Sequence, residues 1–308
     1  RSESFARQMK AACRRLTESL SHQPDYDLLL LAQFEWLRED RLTPAAGSYA
    51  AAATNHLERV RRLISELKHS QPSGFLAEET KRLRELAKQA GLSNLSPEDW
   101  RSLYYQTRLL KRSIAFQNPL LNFDRLLFTK RMQPSYAHLV GQYFGWRQRP
   151  GGGLFVLEHP GVSLAARNIL EGQLPPGSYL EPCLSYDARQ VVFSYVACTG
   201  APPVSTELPV NEAGLDERYF HIYEANVDGT GLRQLTRGCY DDMMPCYLPD
   251  GGIAFVSTRR RGYARCFGPN FSKRWHSYTL HRMNANGDDL RILSLNDVSE
   301  WFPSVANS

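Results

Sequence analysis

The chain has 308 residues and a mass of 35.1 kDa, which is room for two domains, and its 42% apolar and 22% charged shares exclude a wholly disordered or collagen-like protein. The longest apolar run, Leu28–Ala32, is too short to form a transmembrane segment. The net charge of +5 comes entirely from residues 1–118, where bases alternate with acids as on solvated helix faces, and this pattern disfavours a nucleic-acid partner.

Four stretches in the first part of the chain predict helices. Apolar residues recur at helical spacing between Leu16 and Phe34, and again from Ala50 to His69, where charged side chains fill the other positions. A third helix is predicted from Leu76 to Ala90. The sequence Ser96-Pro97-Glu98-Asp99 predicts the start of a fourth, which runs to about Arg112, because serine caps a helix and proline suits its first position.

The pattern changes at Asn118-Pro119, beyond which glycine, proline and aromatic residues become frequent. Short apolar runs at Leu126–Thr129 and Leu154–Leu157 predict strands, and the turn sequence Arg149–Gly153 precedes the second of them. We therefore expect three parts: a helical domain at 1–118, a connecting segment at 119–153 and a β domain at 154–308.

An internal repeat is the most informative feature of the β domain. Ile222–Thr236 (IYEANVDGTGLRQLT) matches Leu280–Ser294 (LHRMNANGDDLRILS) at an offset of 58 residues. In each copy a turn containing glycine joins two strands, so Asp228 and Asn286 are expected to be turn residues rather than cation ligands. Together with the strands around Val191–Ser194 and Ile253–Ser257, the copies predict four short antiparallel strands per unit, which is typical of a β-propeller blade.

This repeat is similar to that of TolB-like β-propellers over about residues 180–308. Other segments resemble the middle domain of the hydrazine synthase alpha subunit, a domain type that also occurs in planctomycete proteins: Pro150–Glu158, Phe255–Cys266, Tyr278–Met283 and Glu300–Ser304. The resemblance implies an α+β multidomain protein, with a helical domain followed by a partial TolB-like β-propeller. It also implies export to the periplasm, although no signal peptide is visible.

The repeats supply fewer than the four to eight blades of a closed propeller, so we expect a fragment of a longer protein, truncated within a blade. The leading functional prediction is a non-catalytic propeller that binds a protein or a small ligand through its loops. The resemblance offers an alternative, a metal- or haem-dependent oxidoreductase. Haem in that family is attached through CxxCH, which this chain lacks, so the sequence supports no haem and leaves the cofactor unknown, with a metal ion as a candidate.

The insertion at residues 259–277 is the candidate site, because propeller function usually resides on loops. Its possible metal ligands, with the resemblance pointing to the cysteine, are Cys266, His276 and, in the next strand, His281. Their spacing is not a recognised zinc motif, so a free cysteine and ordinary histidines are the alternative reading. The arginines of the insertion could hold an anion or contact a partner: Arg259, Arg260, Arg261 and Arg265. The alternative is a solvated loop that pairs with Asp241 or Asp242.

The six cysteines leave disulfide bonds open. Cys239 and Cys246 flank one bend, and Cys183 and Cys198 are predicted to lie on neighbouring strands of one unit. For both pairs the alternative is two free thiols on small buried side chains.

Overall fold

The computed structural model describes residues 24–42, 48–69, 71–135, 141–161, 163–198, 218–262 and 276–306. The chain divides into two compact units, Arg1–Leu126 with Glu158–Ala165, and Leu127–Leu157 with Ala166–Ser308. Of the described residues, those of the first unit form four α-helices and those of the second form mainly three antiparallel β-sheets. Among the described residues, no helix is both long and apolar enough to cross a membrane.

The helices that the structure describes in the first unit are α1 (Pro24–Glu39), α2 (Tyr49–Lys68), α3 (Ala77–Ala90) and α4 (Pro97–Phe116). The helices predicted from Ala50, Leu76 and Ser96 are confirmed, and α4 continues four residues beyond its predicted end at Arg112. One apolar face of each helix supplies a shared core, as the spacing predicts: Leu37, Val60, Leu86 and Leu103 are among its buried members.

The start of α4 shows why this segment is helical. The Ser96 hydroxyl accepts a hydrogen bond from the Asp99 backbone N–H at 3.1 Å. The Asp99 carboxylate in turn accepts from the Ser96 backbone N–H at 3.0 Å, which completes a capping box. Two N–H groups that the helix itself cannot pair are thereby satisfied.

Three sheets follow one another along the second unit. Sheet 1 contains β1 (Arg125–Arg131), β2 (Gly152–Glu158) and β3 (Ala166–Asn168). Sheet 2 contains β4 (Gly177–Leu184), β5 (Gln190–Ala197), β6 (His221–Asn226) and β7 (Arg233–Gln234). Sheet 3 contains β8 (Asp242–Tyr247), β9 (Ile253–Ser257), β10 (Thr279–Met283) and β11 (Arg291–Ile292). In each sheet the strands pair in chain order, and the predicted strands in β1, β2, β5 and β9 are confirmed.

The three sheets share a hydrogen bond at the end of their last strand. In each sheet the residue after the last strand donates its N–H to a backbone carbonyl near the start of the strand before it. Ile169 donates to Leu154 at 2.9 Å, Leu235 to Ile222 at 2.8 Å, and Leu293 to Leu280 at 2.8 Å. The preceding turns of sheets 2 and 3 are also alike, since Gly229 and Gly287 have φ of +95° and +91°. These values favour glycine, as the sequence predicts for a turn.

Sheet 2, sheet 3 and the segment after β11 share a further feature, a residue with a left-handed backbone conformation immediately before a proline. Glu181, Met244 and Phe302 have φ of +42°, +54° and +52°, a region that residues with a side chain rarely adopt. Glu181 and Met244 lie in the bulges of β4 and β8. The Met244 N–H donates to the Ser194 hydroxyl of the preceding sheet at 3.0 Å, so the bulge of β8 joins sheet 3 to sheet 2.

Apolar clusters lie between successive sheets. One cluster joins Leu154 of sheet 1 to Phe193 of sheet 2, and another joins Ile222 of sheet 2 to Phe255 of sheet 3. The turns approach closely as well: a Cβ on Gly229 would lie 2.1 Å from the Ile169 carbonyl oxygen, and one on Gly287 would lie 2.7 Å from that of Leu235. Sheet 2 therefore packs on sheet 1 in the same way that sheet 3 packs on sheet 2.

Candidate functional site

The long connections of sheets 2 and 3 emerge at the same end. Residues 198–220 join β5 to β6, and residues 258–278 join β9 to β10, so each links the second strand of a sheet to the third. The connection from β7 to β8, at 235–241, returns at this end too because the strands alternate in direction. We call this the loop end of the second unit. The candidate residues 259–261 and 276 lie here, whereas Arg265 and Cys266 lie outside the described residues.

Arg259 is held by a buried carboxylate. Its Nε and Nη2 donate to the two oxygens of Asp242 at 2.9 and 2.7 Å, and Nη2 also donates to the Arg237 carbonyl at 2.7 Å. Burial would raise the pKa of Asp242, but the His221 ring, whose Nδ1 lies 3.8 Å from the carboxylate, and the Arg259 guanidinium outweigh burial and hold the pKa below its usual value. The alternative that the arginine run pairs with Asp242 therefore applies to Arg259.

The two arginines that follow have other partners. Arg260 donates to the Asn296 carbonyl and, at 3.2 Å, to the exposed Asp297 carboxylate. Arg261 is exposed, and its guanidinium lies 5.4 Å from the centre of the Tyr240 ring. Arg259 lies 4.8 Å from the centre of the same ring, so Arg259 and Arg261 share Tyr240, whereas Arg260 contacts Asn296 and Asp297 instead.

The two candidate histidines differ in their contacts. The His281 ring is buried, its Nδ1 lies 2.8 Å from the Thr279 carbonyl, and it stacks on Phe255. The half-buried His276 ring has no hydrogen-bond partner for Nδ1 among the described residues. In both, burial is the main cause that lowers the pKa below the ordinary histidine value, so both rings favour the neutral form. Within the described ranges, no group of three or more histidine, cysteine or acidic side chains could hold a metal ion.

A buried carboxyl beside the loop end was named in the sequence only as a partner for arginine. Asp241 accepts the Phe220 N–H at 2.9 Å and lies 3.4 Å from the Tyr278 hydroxyl. Burial is the main cause, and the charge on the neighbouring Asp242 a smaller one, that raise its pKa to about 7. Near pH 7 Asp241 is therefore only partly ionised beside the charged Asp242, a difference that the folded packing around the two carboxyls creates.

Glu181 is a second acidic residue that the sequence did not single out. Burial raises its pKa to about 7, against the opposing charge of Arg131. Its Oε2 atom is buried and has no hydrogen-bond partner among the described residues. The sequence signal at this position was the glutamate before Pro182, which marks the left-handed bulge residue.

The four cysteines that the structure describes are free thiols. Cys198 is buried, Cys239 is exposed, and Cys183 and Cys246 are half-buried. The two pairs considered from the sequence, Cys239 with Cys246 and Cys183 with Cys198, are not bonded. The alternative of free thiols therefore applies, although Cys239 is not buried.

No protein-family model matches the chain, and no curated protein sequence matches it. Solved structures with a distant likeness include Kuenenia stuttgartiensis hydrazine synthase, at 17% identity and a TM-score of 0.34 over 52% of this chain and 20% of that one. A TolB from Agrobacterium tumefaciens has 17% identity and a TM-score of 0.34 over 59% of this chain and 49% of that one. An oligogalacturonate lyase in complex with manganese has 16% identity and a TM-score of 0.31 over 56% of this chain and 39% of that one. The chain thus spans about a fifth of the hydrazine synthase chain and about half of the TolB chain.

Proposed function

We propose that the three sheets are successive blades of a TolB-like β-propeller and that a further sheet of the same kind covers sheet 3. Leucine or isoleucine at one equivalent position supports this. Ile169 is 5% exposed beneath sheet 2 and Leu235 is 7% exposed beneath sheet 3, whereas Leu293 is 51% exposed. A face that is covered twice within the chain and exposed once is the expected face for the next sheet.

The segment after β11 supports the same proposal. The Glu300 N–H donates to the Tyr278 carbonyl at 2.8 Å, just as the Asp242 N–H of β8 donates to Phe220 at 2.9 Å. Phe302 repeats the left-handed conformation of Met244 and is followed by a proline. Residues 300–304 thus share with β8 the hydrogen bond to the preceding sheet and the left-handed residue before a proline. The described residues include no second strand that pairs with them, as β9 pairs with β8.

For this scaffold we propose a binding role, with the loop end as the contact surface for an acidic segment of a partner protein. The observation that carries this proposal is the charge of the described residues at that end. Asp242 is buried and neutralised by Arg259, and the raised pKa of Asp241 reduces its charge, while Arg237 and Arg261 are exposed. Exposed arginine is suited to carboxylate recognition because its planar group donates two parallel hydrogen bonds.

A fluorescein-labelled decaglutamate peptide tests the binding role by fluorescence anisotropy at about 50 mM salt, where surface charges are weakly screened. We expect salt-sensitive binding that the Arg237→Glu/Arg261→Glu double variant weakens at least tenfold. The control is Arg189→Glu, which changes an 85% exposed arginine at the opposite end of sheet 2. Absence of binding, or an equal loss in the control, would contradict the proposed surface.

A metal-dependent oxidoreductase remains the second candidate, and one contact favours it. An Nδ1–H of His281 that donates to the Thr279 carbonyl leaves Nε2 with its lone pair, the arrangement that fixes metal-binding histidines in many sites. Cys266 and His276 would complete the proposed ligand set. Export to the periplasm likewise remains a proposal that rests on the family resemblance.

A further inference from the structure

Two cysteines that the sequence analysis considers with other partners occupy equivalent places on neighbouring sheets. Cys183 on β4 is paired in register with Val192, and Cys246 on β8 with Ala254, each directly after the bulge in its strand. Each thiol also faces the carbonyl oxygen of the next residue, at 3.6 Å for Cys183 and 3.5 Å for Cys246. The same local backbone therefore presents both side chains.

The two thiols are neighbours where sheets 2 and 3 meet. Strands β4 and β8 contact each other there, Cys183 packs against the apolar cluster between the two sheets, and its thiol is close enough to affect the pKa of Cys246. Burial, followed by the neighbouring Cys183 thiol, raises the pKa of Cys246 above its ordinary value. Because both side chains are only half-buried, a small oxidant can reach them.

We propose that Cys183 and Cys246 form a reversible disulfide bond that joins sheets 2 and 3 under oxidising conditions. The bond would close a loop of about sixty residues and restrict the unfolded chain accordingly. This inference is independent of the proposed binding role, because it concerns the packing of the two sheets and not the loop end.

The chemistry is thiol–disulfide exchange with a low-molecular-weight disulfide such as oxidised glutathione. The thiolate of one cysteine attacks a glutathione sulfur, the glutathione disulfide breaks, and one glutathione thiolate leaves. The thiolate of the second cysteine then attacks the mixed disulfide on the protein and releases the second glutathione. Overall, two protein thiols lose two protons and are oxidised to one disulfide, while one glutathione disulfide is reduced to two thiols.

Peptide mapping without reductant tests the proposal on the wild-type chain after incubation with oxidised glutathione. The expected product is a cross-linked peptide pair that contains Cys183 and Cys246. The melting temperature should rise by roughly 10 °C and return to its starting value when a reductant is added. Separate glutathione adducts on the two cysteines, or a bond from either of them to Cys198 or Cys239, would overturn the proposal.

Two variants separate this bond from general oxidation. Cys183→Ala should abolish the oxidation-dependent rise in melting temperature, whereas Cys239→Ala, which removes the exposed thiol, should retain it. If Cys183→Ala fails to fold, Cys246→Ala serves the same purpose, and the wild-type peptide map decides the pairing without any variant. Retention of the full rise in Cys183→Ala would contradict the assignment.

Discussion

Leucine-to-alanine changes at the two equivalent positions of sheets 2 and 3 should have unequal costs. Leu235 is 7% exposed within the cluster between the sheets, so Leu235→Ala removes buried methyl groups and leaves a cavity, a loss of about 3 kcal/mol in unfolding free energy. Full burial of a leucine side chain stabilises a protein by about 2 kcal/mol. Because Leu293 is 51% exposed, Leu293→Ala loses only part of this energy and leaves no enclosed cavity. We therefore expect a loss of about 1 kcal/mol or less for Leu293→Ala.

Alkylation of Cys198 in increasing urea measures this difference within the second unit. Cys198 is fully buried, so its thiol reacts when the surrounding sheets open, while the exposed Cys239 reports the activity of the reagent at every urea concentration. With an m-value of about 2 kcal/mol/M, the midpoint should fall by about 1.5 M for Leu235→Ala and by no more than about 0.5 M for Leu293→Ala. Equal shifts of the two midpoints would refute the inference that sheet 3 covers the face of sheet 2 around Leu235 while the equivalent face of sheet 3, around Leu293, is open.

The remaining predictions concern charge and metal. In the wild type, the raised pKa of Asp241, about 7, stabilises the fold fully below the unfolded pKa of the carboxyl, and this stabilisation is lost as pH rises through 7. Asp241→Asn should therefore remove about 2 kcal/mol of the change in unfolding free energy between pH 5.5 and 8.5. A pH profile like that of the wild type in the urea assay would contradict this. Arg259→Met should lower the unfolding free energy by about 3 kcal/mol, because it leaves the buried Asp242 carboxylate without its arginine. Arg260→Met should lower it by less than about 1 kcal/mol, because its partner Asp297 is exposed. Equal losses in the urea assay would contradict the stronger role of the Arg259 ion pair. If the proposed metal site exists, elemental analysis of the purified protein should find near-stoichiometric zinc or iron that the Cys266→Ser/His276→Ala double variant loses, and metal-free wild-type protein would end that proposal.

Local signals in the sequence predicted most of the secondary structure. The start of α4 followed from Ser96 and Pro97, because capping depends on residues a few positions apart. The hairpin turns followed from Gly229 and Gly287, because their positive φ favours a residue without a side chain. The predicted end of α4 at Arg112 was four residues early, since packing of Ile114 against the helical core continues the helix beyond the clearest part of the pattern.

The chemistry of the candidate site could not be predicted in the same way, because it depends on contacts between distant strands. The raised pKa of Asp241 arises from burial by several segments, and nothing in its immediate sequence indicates it. From the sequence, Cys239 is the partner considered for Cys246, beside the alternative of free thiols, because the two flank one bend, whereas the fold makes Cys183 a neighbour of Cys246. One signal was present: both residues of the proposed pair follow a proline at the same place in their sheets.

An experimental structure of the protein expressed from its complete gene is the most direct test of the proposed blade array. The account predicts a further four-stranded sheet over Leu293, with residues 300–304 forming its first strand. It would be contradicted if the Leu293 side chain remained exposed or lay beneath helices.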